Sequence, residues 1–256
     1  MSKVCIWCRK NEQVVTFHKK AHTIPQQLGG RMICENVCDG CNLFFGTHFN
    51  GSPSVETIIK ETFNITRARL LSDNKIGKNK PLAKFSSIYF TVNFKKNMID
   101  IKSKYLAHAG FQEKICRQMK KGIYKMYLEE TERQHGEGLN SRYDFIREFC
   151  RYNLGDYPVI YFERAFGIIA TANEWIEHPE LLLDKDSQMK YLVQEDQFQE
   201  FEFLGHVIAI AKTRSWLLDF DNYITRTAKA KIGFFKGWKF VKKFNDIDLT
   251  LAILNS

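Results

Sequence analysis

"KKAHTIPQQLGGRMICENVCDGCN" (Lys19–Asn42) holds a histidine, a proline, a Gly-Gly pair and a Cys-x2-Cys motif in one short span, and a second motif, Cys5-x2-Cys8, lies just upstream. Two such pairs separated by a long gap predict a tetrahedral zinc site, each pair giving two thiolates from a tight turn. A unit of this size needs that staple, because its own core is too small to hold it together. A redox reading of Cys-x2-Cys requires a βαβ setting, and none is legible here. Cys34 is the weaker ligand candidate, and Cys116 and Cys150 lie on apolar helical patterns that predict core positions.

Between the pairs, "VVTFHKKAHTIP" alternates and predicts a strand ending at Pro25. "QQLGGRM" predicts a loop whose two glycines permit a tight return, and "ENVCDGCN" predicts the start of a helix. On that helix Cys38, Cys41 and Asn42 stand at i, i+3 and i+4. Adjacent positions are about 100° apart around a helix axis, so the cysteines can face zinc while Asn42 points toward the strand carrying His22.

Outside this unit the chain of 256 residues has length enough for a sizeable core, and its 44% apolar content predicts a folded globular protein. The opening MSKVCIWCRK lacks an apolar run, and seven cysteines are an odd count, so reduced thiols in a cytoplasmic protein are expected rather than a disulfide framework. No apolar stretch reaches membrane-span length, so no membrane partner is expected. The net charge of +9 is unevenly spread: residues 51–128 carry +11 and residues 129–221 carry −10. A basic half beside the cysteine unit predicts a polyanionic partner. The acidic stretch is expected to face away from it and to serve a homo-oligomer, a protein partner or solvent.

"GTHFNGSPS" predicts a linker or loop, followed by a helix over "VETIIKETFNITRARLL" with Ser54 as N-cap. "DNKIGKNKP" predicts a loop. The alternation in "KFSSIYFTVNFKKNMIDIKSKY" predicts a hairpin turning at Lys95-Lys96-Asn97. Phe111 to Gln134 predicts a long helix, Ser141 to Arg151 another, and "PVIYFERAFGIIATA" and "FEFLGHVIAIAKTRSWLLDF" predict buried strands. The expected class is α+β: a zinc-bound module over residues 1–50 and a larger mixed domain over residues 51–256 whose targeting, regulatory or oligomerising role the sequence does not state.

The combination of "AHTIPQQLGG", Asn36 and "CDGCN", flanked by the cysteine pairs, resembles the HNH (His-Me finger) endonuclease module in its zinc-stabilised form. The resemblance implies a ββα-metal fold in which a β-hairpin, a loop and a helix grip one divalent metal. It further implies DNA phosphodiester hydrolysis with Mg²⁺ or Mn²⁺, leaving 5′-phosphate and 3′-hydroxyl ends, beside a structural Zn²⁺ on Cys5, Cys8, Cys38 and Cys41. In that scheme His22 is the general base that activates water, Asn36 orients the loop and Asn42 holds the metal. Imidazole suits the first task, since its titration range spans neutral pH. Mg²⁺ held by few protein ligands and several waters suits the charge on the leaving oxygen.

One position departs from the pattern. Many members place an acidic metal ligand immediately before the histidine, where this chain has Ala21. Either weaker metal binding or a further ligand from His48, Asp39 or His18 is then expected, with His48 preferred among the three. The expected phosphate contacts are Lys19, Lys20 and Arg31 around the motif, and Arg67 or Arg69 on the next helix, on DNA or on RNA. The competing expectation is a catalytically inactive zinc module that binds nucleic acid or a protein partner. Stand-alone members with extensions of this kind point by analogy to genome defence.

Overall fold

The computed structural model describes residues 2–48, 51–75, 82, 85–108, 110–167, 172–183, 192–193 and 197–255. Most of the "DNKIGKNKP" loop and the "IIAT" part of the run after β5 lie outside those residues. The fold is mixed α and β, with the cysteine-bearing unit first and a larger body after it.

The N-terminal unit is a knuckle closed by a Val4–Asn11 bridge, a two-stranded hairpin of β1 (Ala21–His22) and β2 (Ile33–Cys34), and helix α1 (Asp39–Gly46). The expected strand from Val14 shrinks to these two residues. Residues 16–19 instead wrap the start of α1: Thr16 accepts from the Asp39 N–H at 2.8 Å. The Asp39 carboxylate in turn accepts from Thr16 Oγ1 at 2.6 Å and from the Lys19 N–H at 2.7 Å. A backbone curled around a helix terminus cannot also pair as a strand.

Helix α2 (Val55–Asp73) starts at Ser54, whose hydroxyl accepts from the Thr57 N–H at 3.1 Å. The hairpin β3 (Phe90–Asn93) and β4 (Met98–Ile101) pairs in register across Asn93 and Met98, with the turn at Lys95–Asn97 as its alternation predicts. A short helix α3 (Ser103–Leu106) leads into α4 (Phe111–His135), the longest element. Its buried side includes Ile115, Met119, Ile123 and Met126. It crosses α2 at Gly122, where any Cβ would collide with the side chain of Ile59.

A 3-10 turn (Ser141–Tyr143) opens α5 (Asp144–Tyr152), and α6 (Asn173–Glu177) follows the strand β5 (Val159–Arg164). With β6 (Phe198–Phe203), β7 (His206–Ala211) and β8 (Phe235–Phe240), β5 forms an antiparallel sheet in the order β6-β7-β5-β8. Helix α7 (Phe220–Ala230) covers its second face. Along β5, Val159 and Tyr161 join the main core while Ile160 and Phe162 pack with Phe198, Val207, Ala209 and Tyr223. Burial on both faces explains why "VIYF" and "HVIAIA" read as unbroken apolar runs.

The main core does not stop at residue 50. Cys5, Trp7, Val37 and Phe45 belong to the same buried cluster as Ile58, Met119 and Phe149. Acidic residues of the 129–221 stretch contribute to the interior as well: Glu129, Glu130 and Glu200 are fully buried. Glu200 meets Lys231 Nζ at 2.5 Å and accepts from the Tyr223 hydroxyl at 2.7 Å. Part of that segment's charge is therefore neutralised inside the fold.

Candidate metal centre and active site

The Sγ atoms of Cys5, Cys8, Cys38 and Cys41 all lie within 4.8 Å of one another, and Cys8 and Cys38 are 3.7 Å apart. A tetrahedron with Zn–S bonds of about 2.3 Å has sulfur–sulfur edges of about 3.8 Å, so the cluster is compatible with structural zinc. The Cys38 N–H donates to Cys5 Sγ at 3.3 Å. A hydrogen bond with Cys41 pulls the Cys5 thiol down to about 5, and the same bond pushes Cys41 up. Burial raises Cys38 to about 11. A bound Zn²⁺ favours all four as thiolates. Cys34, buried on β2 and raised by desolvation, stands outside the cluster.

Between the cysteine pairs, the hairpin carries His22. Its return is made by a 3-10 turn (Gln26–Leu28) capped by Gly29 at φ +92°. That conformation favours glycine, and a Cβ there would also strike the Glu177 carbonyl, so α6 closes directly on this loop. His178 Nδ1 lies 3.3 Å from the Gly29 carbonyl at the same place.

His22 is partly buried, and its Nδ1 is fully covered without a hydrogen-bond partner. An orphaned buried nitrogen is uncommon, because leaving a polar group unpaired costs about 1–3 kcal/mol, and such atoms mark catalytic roles or places for a water or ion. Asn42, in the first turn of α1, donates from Nδ2 to the Lys20 carbonyl at 3.3 Å, two residues before His22. The helix is thereby tied to the histidine strand by the asparagine itself. Asn36 donates from Nδ2 to Glu132, and its carbonyl accepts from the Ile6 N–H at 2.8 Å. It joins the first cysteine knuckle to the second chain segment and to α4.

Helix α4 supplies what the sequence did not reveal. Lys125, only 3% exposed, donates from Nζ to the His22 carbonyl at 3.2 Å and pairs with Glu129 at 2.8 Å and Glu56 at 3.4 Å. Glu129 accepts from the Trp7 indole at 3.0 Å. Burial raises its carboxyl to about 7 against the opposing pull of Lys125. Glu130 accepts from Thr23 Oγ1 at 2.5 Å. One helix thus grips the residue between the first cysteine pair, the backbone of the histidine strand, the next residue on it and the loop asparagine. These partners are about 100 positions away in the chain, and no local pattern announces them.

The remaining expected site residues fall into separate groups. Ala21 is buried and offers no ligand. Both Asp39 oxygens are already engaged by Thr16 and Lys19, which also hold its carboxyl below the usual carboxylate range. His18 and His48 are exposed, as are Lys19, Lys20 and Arg31. Arg67 turns inward and donates to the carbonyls of Ile176 and Glu177 at 3.0 and 3.1 Å, holding α6 against α2. Arg69 pairs with Asp73 at 2.7 Å.

No described helix is long and apolar enough to cross a membrane. Residues 5–54 match the family model described as HNH endonuclease. No curated protein and no solved structure matches the chain. The matched stretch spans both cysteine pairs, the hairpin, α1 and the N-cap of α2, so the N-terminal part of this chain is an HNH endonuclease-family module.

Proposed function

We propose that the chain is a metal-dependent endonuclease that hydrolyses DNA phosphodiester bonds at His22. The observation that carries this is the unpartnered, covered Nδ1 of His22 inside the family-matched segment, on a strand tied to Asn42. A nuclease of this kind needs a base that accepts a proton from water and a rigid mount that keeps the base in line with the phosphate. His22 is the proton acceptor in this reading, and the Lys125 bond to its backbone carbonyl together with the Thr23–Glu130 bond fixes the strand. Asn42 Oδ1, with Nδ2 already committed to Lys20, is the protein ligand for Mg²⁺ or Mn²⁺. When bound, that cation supplies charge for the leaving oxygen. Lys19, Lys20 and Arg31 supply sequence-blind phosphate contacts. Residues 51–256 act as the mount, with α4 as its working face.

A second reading, binding without cleavage, is favoured by Ala21 and by the commitment of both Asp39 oxygens, which leave Asn42 as a sparse donor set. Nicking of supercoiled plasmid across a Mg²⁺ and Mn²⁺ titration separates the two. The nuclease reading expects metal-dependent nicking, and at least tenfold more metal for half-maximal rate in Asn42→Ala. Plasmid binding with no nicking at any metal concentration favours the second.

A further inference from the structure

On the side of α4 next to the zinc module lies a cavity of about 380 Å³ between the end of α1, the start of α2 and the end of α5. Its wall includes Phe44 and Thr47 from α1 and its cap, Gln118 and Lys121 from α4, and Arg151 and Tyr152 from α5. Two cations face it, and among the described residues no carboxylate lines it. Lys121 is 5% exposed, and among the described residues its ammonium donates to the neutral Asn153 Oδ1 at 2.7 Å and meets no carboxylate. Arg151 packs its guanidinium over the Phe44 ring at 4.1 Å, and its Nε is buried without a hydrogen-bond partner.

Gln118 shows the same deficit with the opposite sign. Its Nε2 donates to the Pro53 carbonyl at 2.8 Å, while its Oε1 is buried and unpartnered. Among the described residues three buried side-chain nitrogen or oxygen atoms lack a partner; one is on His22, and the other two belong to Gln118 and Arg151, residues that line this cavity. Burial pulls the Lys121 ammonium down to about 8, with the neighbouring Arg117 charge adding to the effect. Arg151 also hydrogen-bonds the Cys41 sulfur, so the cation of this hollow without a charged partner is Lys121. With one unsatisfied donor and one unsatisfied acceptor beside it, the hollow is suited to an anion that also carries a hydrogen-bond donor. The volume is within the range of small-molecule sites and exceeds what a bare phosphate fills.

The geometry points to this cavity as a binding site for a phosphate-bearing nucleoside. Lys121 Nζ and the Arg151 guanidinium meet the phosphate, Gln118 Oε1 accepts from a hydroxyl or amino group, and Phe44 or Tyr152 packs on the base. The ligand is either a free mononucleotide or one nucleotide of a strand passing α1. Binding here does not require His22 to be catalytic.

Isothermal titration of the zinc-loaded full chain, in buffer without Mg²⁺, tests this with AMP, inorganic phosphate and a short single-stranded oligonucleotide. Saturable binding of AMP or of the oligonucleotide is expected, weakened at least tenfold in Lys121→Met. That variant removes a buried cation and keeps an unbranched side chain only one heavy atom shorter, so its fold and zinc content should persist. Thr47→Glu, which adds a carboxylate from an exposed position on the rim, should weaken the same binding if Lys121→Met fails to fold. Competition between AMP and the oligonucleotide assigns the strand as source; AMP binding alone assigns the free nucleotide. No saturable binding of either, equal affinity in wild type and both variants, or phosphate binding as tight as AMP would overturn the assignment. Cleavage at His22 is not read in this titration, so failure of either account leaves the other standing.

Discussion

At the residue scale, the histidine is held by a lysine that no pattern near it reveals. Lys125 neutralises the buried Glu129 and the half-buried Glu56 while bonding the His22 carbonyl. Removing one partner of a buried pair leaves an uncompensated charge, so Lys125→Met should cost on the order of 3 kcal/mol in urea unfolding. The deficit should shrink on acidification, because Glu129 already stands near 7 and without Lys125 takes up a proton still more readily. A deficit equal at pH 6 and pH 8 would contradict that coupling. His206 gives a separate pH signature. It is buried between Thr66 Oγ1 at 2.7 Å and the Tyr161 hydroxyl at 3.5 Å, and burial lowers it to about 3. Its folded pKa lies below the unfolded value of about 6.5, so its contribution is present above pH 6.5 and is lost as pH falls toward 3. Urea midpoints of the wild type should drop over that window more steeply than those of His206→Gln.

At the element scale, the close crossing of α2 and α4 depends on one missing Cβ. Gly122→Ala drives a methyl into Ile59 and should cost about 1–3 kcal/mol, and Ile59→Ala in the same chain should recover part of it. Additive costs in the double variant would show that the two sites do not touch. The elements themselves were legible where one physical signal dominated: the 3.6-residue spacing of α4, the Ser54 cap of α2, the alternation of β3 and β4. The strand before His22 was not, because Asp39 recruits residues 16–19 as a collar around α1. Alternation reports which residues face a surface, not which backbone groups are already bonded. Arg67 illustrates the same limit, since its partners are carbonyls more than 100 residues away.

At the scale of the whole molecule, the four-cysteine module and the larger body share one buried cluster, which the cysteine spacing alone could not show. The motif residues were readable because metal chemistry fixes their types and spacing. Their mount on α4 was not, because tertiary ion pairs leave no periodic trace. Stripping the metal with a chelator should lower the melting temperature by on the order of 10 °C in a single transition. Two separate transitions, with the later one unmoved, would show that the module folds independently of α4. The central claim, that His22 is the proton acceptor of a nuclease, is tested most directly by nicking of supercoiled plasmid with Mg²⁺, comparing the wild type with a His22→Ala variant that retains its zinc and its circular dichroism. The account predicts nicking by the wild type and at least a hundredfold loss in the variant; equal nicking by both proteins would contradict it.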